Sequence, residues 1–249
     1  SALIYPTLPN ISHLVKYYPK QPLQIYSKEG ALIAEFGEER RDFIAISETP
    51  QQMINAILSI EDRRFFEHPG IDIIGIARAA LKNITGRSHE GASTITMQVA
   101  RNFFLTPDKT FKRKINEILL AIKIERTLSK EEILELYINQ IYLGQRSFGF
   151  AAAANTYYGK NLDQLNLGET ALLAGLPKAP SRYNPLVRPQ LAIKRQQNVL
   201  ASMLRHGYID KPTYILALED ALSLKEKFMK SELQANYVAE MVRKTLFEE

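Results

Sequence analysis

No cysteine occurs in the 249 residues, which excludes a disulfide framework and thiolate metal sites. It does not exclude an extracytoplasmic location, because a chain of this length with 45% hydrophobic residues can fold without covalent staples. No run of about 18 apolar residues is present, so no segment reads as a bilayer-spanning helix. The N-terminus lacks the basic-then-apolar pattern of a signal peptide, and the opening Ser1-Ala2-Leu3-Ile4-Tyr5-Pro6 reads as a cut made after an upstream segment. Internal repeats and low-complexity tracts are missing too. What the chain has in excess is positive charge: a net +5 and a pI near 9.2 suit nucleic acid, an anionic membrane surface or a phosphorylated substrate.

Four prolines and three tyrosines in residues 1–22 predict an extended arm. Leu23-Gln24-Ile25-Tyr26 and Ala31 to Phe36 about Gly30 predict a β hairpin, with Phe43-Ile44 as a third strand. Thr49-Pro50 caps a helix running to Glu61. Ile71 to Ile84 predicts a helix that is apolar over more than half its circumference, hence buried or facing lipid. Residues 86–91 read as a polar mobile loop and Thr94 to Phe104 as the next helix. After Thr110, the spacing of Phe111, Ile115, Ile118, Leu119 and Ile122 predicts the buried stripe of another. Ser129 to Glu132 forms a capping box for a further helix with Tyr137 in its core face. Helices continue over 148–158, 166–176, 189–206, 210–222 and 235–247.

Three clusters carry candidate chemistry. Glu61-Asp62-Arg63-Arg64-Phe65-Phe66-Glu67-His68-Pro69-Gly70 places a carboxylate where an apolar helix ends. Partial desolvation raises such a carboxylate's pKa and fits it for proton transfer, with Arg63 and Arg64 opposing; the alternative is a solvated charge cluster. Gly91-Ala92-Ser93-Thr94, followed by Gln98, Arg101 and Asn102, opens a helix whose N-terminal N–H groups suit phosphate oxygens; the alternative is ordinary capping. Lys109, Arg113 and Lys114 surround Glu117, either as a surface ion pair at i, i+4 or as cations for a pyrophosphate. Glu61 and Glu117 alone also admit glycoside cleavage. No His or Cys stands at ligand spacing from His68, which reads as a hydrogen-bonded structural histidine.

Together these clusters resemble the peptidoglycan glycosyltransferase domain of class A penicillin-binding proteins and monofunctional transglycosylases, glycosyltransferase family 51. The matching pieces are Glu61-Asp62-Arg63-Arg64-Phe65 with His68 and Gly70, Gly91 with Ser93 to Thr96 and Gln98, and Arg113-Lys114-Ile115 with Glu117. The stretch from Glu132 to Gly144 and Tyr183-Asn184-Pro185 with Arg195 complete the set, and the resemblance spans about 23–205. Small departures are Met97 before Gln98, Arg101 where Lys is common and Lys109 where Arg is common; Arg and Lys grip phosphate differently.

The resemblance implies a mainly α, lysozyme-like fold with a large helical lobe, a smaller membrane-associated lobe and a short N-terminal β hairpin. The expected division is a juxtamembrane arm over 1–22, the glycosyltransferase domain over 23–222 with a mobile lobe about 71–110, and a linker over 223–249 towards a transpeptidase domain absent from this chain. The implied reaction is processive, inverting polymerisation of lipid II with undecaprenyl pyrophosphate as leaving group. Glu61 is implied as general base and Glu117 as the carboxylate organising the pyrophosphate. Ser93, Gln98, Arg101, Asn102, Lys109, Arg113 and Lys114 are implied contacts to donor phosphates or to the inhibitor moenomycin, and Asp62 and Asn139 match the motifs as substrate-binding positions. No organic cofactor is implied, and a divalent cation, Mg or Mn, is optional at the donor pyrophosphate. The implied location is the outer, periplasmic face of a bacterial cell membrane, held by an N-terminal transmembrane helix outside this chain. The competing readings are a lysozyme-like glycan hydrolase or lytic transglycosylase, which has no pyrophosphate to neutralise, and a nucleic-acid-binding helical module, which would need aromatics interleaved with the cations.

Overall fold

Short polar side chains start four of the described helices where the sequence predicts them. The structure, a computed structural model, describes residues 23–26, 32–36, 39–84, 93–106 and 110–220, with positions 9, 11 and 14. The loop over 86–91, Lys109, most of the 1–22 arm and the 223–249 segment with its expected helix lie outside the described residues. β1 (Leu23–Tyr26) and β2 (Leu32–Phe36) form the expected antiparallel hairpin. There follow β3 (Arg40–Arg41), α1 (Gln51–Glu61), α2 (Ile73–Ile84), α3 (Ile95–Phe104), α4 (Phe111–Glu125) and α5 (Lys130–Gln140). Then come β4 (Tyr142–Gly144), β5 (Ser147–Phe148), α6 (Phe150–Tyr158), α7 (Leu167–Gly175) and α8 (Pro189–Arg205). A further helical stretch covers 211–220. The chain is therefore mainly α with short strands, as expected. Thr94 and Thr110 cap α3 and α4, and reciprocal capping boxes open α5 (Ser129 with Glu132) and α7 (Asn166 with Glu169).

The chain divides into two units, one of residues 1–49, 61–142 and 146–152, the other of 50–60, 143–145 and 153–249. In the first, α3 lies against α4 and α5. Ile95 and Met97 of α3, Leu120 and Ile124 of α4, and Ile133, Leu134 and Ile138 of α5 are buried there. Burying each such side chain stabilises the fold by about 1.5–3 kcal/mol. Tyr137 is core as predicted, its ring centroid 6.4 Å from that of Phe150. In the second unit, α7 packs on α8 closely enough that a Cβ at Gly175 would stand 2.8 Å from Arg195 Cγ. Arg195 is buried there, its Nε donating to Gly175 O, and Ser202 Oγ donates to Ser59 O at 2.6 Å to tie α8 to α1.

Three expectations are corrected. Phe43-Ile44 is not a strand: the Asn139 side-chain amide accepts from Ile44 N at 2.9 Å and donates to Ile44 O at 2.8 Å, taking the groups a strand partner would use. The third strand is Arg40–Arg41, paired parallel with Ser147–Phe148. Thr49 sends its hydroxyl back to Ala45 O at 3.0 Å. The stripe predicted for α4 is rotated: Glu117, Leu120, Ala121 and Ile124 are buried, whereas Phe111 is 93% exposed and Ile115 50%. Apolar periodicity scores a carboxylate as solvent-facing, but Glu117 is held inside by two cations, and its stripe takes the core side.

The loop between α1 and α2 has little slack. Gly70 has φ +89°, and a Cβ there would stand 2.9 Å from Glu125 Cγ and 3.1 Å from Ala121 O. Gly70→Ala is expected to destabilise the protein by about 1–3 kcal/mol, read as a lowered thermal midpoint; an unchanged midpoint would show the loop adapts.

Candidate active site

Every described candidate near Glu61 belongs to the first unit, and the first turn of α3 is its meeting point. Glu61 is the half-buried last residue of α1, and its Oε2 accepts from Gln98 Nε2 at 2.9 Å. Gln98 is itself buried, so the amide fixes the carboxylate's orientation. Arg64 does not turn towards Glu61. Its guanidinium donates to Glu67 at 2.7 Å and Asp72 at 3.0 Å, and the Glu67 hydrogen bond first, then Asp72's charge, raises its pKa further.

Asp62 is buried, and the backbone around it dictates its bonds. Its oxygens lie 3.0 Å from His68 Nε2, and Oδ2 accepts from Ile95 N at 3.1 Å. Gly70 N–H donates to His68 Nδ1 at 3.2 Å, so Nδ1 is the acceptor and Nε2 carries the hydrogen that Asp62 receives. Thr94 accepts from Met97 N and donates to Gly70 O at 2.6 Å. Two of the N–H groups expected to greet a phosphate, those of Ile95 and Met97, are thus already taken by side chains. Fewer of the helix's own N–H groups are left for an anion at this end of α3 than the sequence suggests.

Lys114 Nζ donates to Ser93 Oγ at 2.9 Å and to Glu117 Oε1 at 2.8 Å. Arg113 Nη1 donates to Glu117 Oε2 at 2.9 Å, so both oxygens of a fully buried carboxylate are charge-paired. The surface-pair reading of Arg113 and Glu117 does not hold at 0% exposure for Glu117. Arg113 Nε is buried without a hydrogen-bond partner among the described residues. From Thr94 to Gln98 is about 6 Å of helical rise. Glu61 is therefore tied to the far end of this turn through Gln98, and Lys114 to Ser93, the residue just before its cap.

Arg101 lies one turn beyond Gln98 and is half-exposed, while Asn102 is exposed. Asn139 is buried with its amide spent on Ile44 and Glu135 O. Lys109 lies outside the described residues. Tyr183-Asn184-Pro185 and Arg195 fall in the other unit, where Asn184 and Arg195 are buried.

A family model described as Transglycosylase matches residues 29–204, a stretch that contains all of these motifs. The chain belongs to the transglycosylase family. It is 51% identical over 245 residues to a penicillin-binding protein 1A of Neisseria gonorrhoeae, covering 98% of this chain and 31% of that protein. It is 50% identical over 239 residues to one of Pseudomonas aeruginosa, covering 96% and 29%. This transglycosylase chain thus spans about a third of the length of the curated relatives it matches. A crystal structure of penicillin-binding protein 1A from Haemophilus influenzae is similar at 33% identity and a TM-score of 0.47, over 81% of this chain and 21% of that one.

The sequence assigns no role to three polar residues that join separate segments of this transglycosylase chain: Thr96, Glu125 and Lys130. Thr96 donates to Glu125 Oε1 at 2.5 Å, and Lys130 Nζ donates to Glu125 Oε1 and to His68 O, each at 2.7 Å. The available signal was Glu125 itself, eight residues after Glu117 on the same face of α4.

Proposed function

We propose that this transglycosylase domain polymerises lipid II, joining the growing glycan's anomeric carbon to the acceptor's 4-hydroxyl with loss of undecaprenyl pyrophosphate. The observation that carries the reading is the pairing, through one turn of α3, of a carboxylate held by Gln98 with a two-cation cluster around buried Glu117. Glu61 takes the proton as the acceptor oxygen attacks C1, the C1–O bond to pyrophosphate breaks, and attack opposite the leaving group turns the α linkage into β. Arg113 and Lys114, oriented by Glu117, meet the charge developing on the leaving phosphate, and Ser93 supplies a hydroxyl beside Lys114. Glycan cleavage asks for no such cations. Arg101 and Lys109 are proposed contacts for the donor phosphates or moenomycin, and Asn102 is a proposed substrate-binding residue. Asp62 and Asn139, spent on His68, Ile95 and Ile44, serve this reaction by holding the backbone in place rather than by touching sugar.

The described residues do not fit a resident metal. Among the described residues no three His, Cys, Asp or Glu side chains gather as ligands, and both Glu117 oxygens are occupied by cations. A divalent cation would be brought by the pyrophosphate, and no step here passes through one.

The membrane reading rests on exposed apolar side chains. Ile73 is 75% exposed and Ile74 61% on α2, with Phe66 before it and Phe111 on α4 likewise exposed. Leaving each in water forgoes about 1.5–3 kcal/mol, which an apolar lipid surface restores. No described helix is long and apolar enough to cross a membrane. Placement at the periplasmic face of a bacterial membrane, and a transpeptidase domain as in class A penicillin-binding proteins, belong to the same proposal. Incubation with lipid II in detergent tests the reading: glycan polymer is expected, and shortening of a preformed glycan with lipid II untouched would replace it with cleavage.

A further inference from the structure

Beside the first turn of α3 lies a second polar cluster, built on Lys130, Glu125 and Thr96. We infer that Lys130, Glu125 and Thr96 form a positioning clamp that holds Glu61 and Gln98 in register for proton transfer. The inference rests on the reading of lipid II polymerisation above.

Glu61 and Gln98 come from different segments, one at the end of α1 and one in α3, and their 2.9 Å contact needs both segments held. Lys130 links the two indirectly, through the loop that follows Glu61 and through Glu125. Its ammonium donates to His68 O, in the loop that starts at Asp62, and to Glu125 Oε1, which also accepts the hydroxyl of Thr96 two residues before Gln98. It also lies 4.4 Å over the ring centroid of Phe65, which is fully buried. The Lys130 side chain is only 18% exposed and the Glu125 side chain 9%, so the pair sits in a low-dielectric setting where its attraction is strong. Glu125 itself is braced, because Gly70 passes so near that any Cβ would meet its Cγ. On the loop's other side, Asp62 joins His68 to Ile95 N, at the start of the same helix. The loop and the helix are thus locked at two levels, by Asp62 near the base and by Lys130 below it.

A merely structural ion pair would alter stability alone, whereas a clamp on reacting groups lowers turnover without weakening substrate binding. Lys130→Met and Thr96→Val are the probes, the second removing one hydroxyl at nearly constant volume. With wild-type protein polymerising lipid II as reference, both variants are expected to lower kcat, Lys130→Met by about 10- to 100-fold, with KM within about twofold. Lys130→Arg is expected to recover most of that rate, and the double variant to lose less than the product of the two single losses. Folded Lys130→Met at wild-type kcat, or a loss confined to KM, overturns the inference. Should Lys130→Met not fold, Thr96→Val decides, and wild-type kcat in that variant overturns it equally. A wild-type protein that leaves lipid II intact overturns the reaction reading and the clamp's purpose with it, an outcome distinct from variants that polymerise normally.

Discussion

Glu61→Gln is expected to reduce polymerisation of lipid II by about 10²- to 10⁴-fold while leaving the thermal midpoint within a few degrees of wild type. The activity loss follows from chemistry, because an amide cannot take the proton of the acceptor hydroxyl. The fold is retained because the amide oxygen still accepts from Gln98 Nε2, the contact that orients the side chain. Arg64 does not compensate, since it is committed to Glu67 and Asp72. Initial rates with lipid II and a melting curve on the same preparation check both halves. A normal rate would remove Glu61 from the role of base.

The second large effect is on stability as well as rate. Glu117→Ala leaves the Arg113 side chain, 17% exposed, and the Lys114 side chain, 40% exposed, without the buried carboxylate that pairs them. Breaking a buried pair from one side costs about 3–5 kcal/mol, and in a chain of this size each kcal/mol lowers the midpoint by about 2–4 °C. A fall of about 10 °C is therefore expected, with polymerisation lost because the cations no longer face the leaving phosphate. Glu117→Gln keeps an acceptor for one cation and should fall less. An unchanged midpoint in Glu117→Ala would show that the cations find other partners, and Glu117 would lose its organising role.

The helices were legible because their starts are written locally: Thr94, Thr110, Ser129 and Asn166 each bond an N–H within their own first turn. The hairpin was legible too, but the third strand was not, since Arg40–Arg41 finds its partner at Ser147–Phe148, a pairing that no local signal encodes. On α4 the difficulty was chemical. Phe111 and Ile115 have the period of a core stripe, yet the core takes Glu117, whose burial depends on cations one turn away. Glu61, Gln98 and the Arg113–Lys114–Glu117 group were readable as motifs, but not that Asp62 and Thr94 consume helix N–H groups offered to phosphate. Thr96, Glu125 and Lys130 were hidden because a threonine inside a helix and a lysine after a cap look ordinary until three segments are brought together.

The central claim is glycosyl transfer with a pyrophosphate leaving group, and one measurement addresses it directly. Lipid II is incubated with the wild-type protein, and released undecaprenyl pyrophosphate is counted against new glycosidic bonds and their anomeric configuration. The account predicts one pyrophosphate per bond and β linkages throughout. Bond cleavage in a preformed glycan with no polyprenyl pyrophosphate released from lipid II would contradict it.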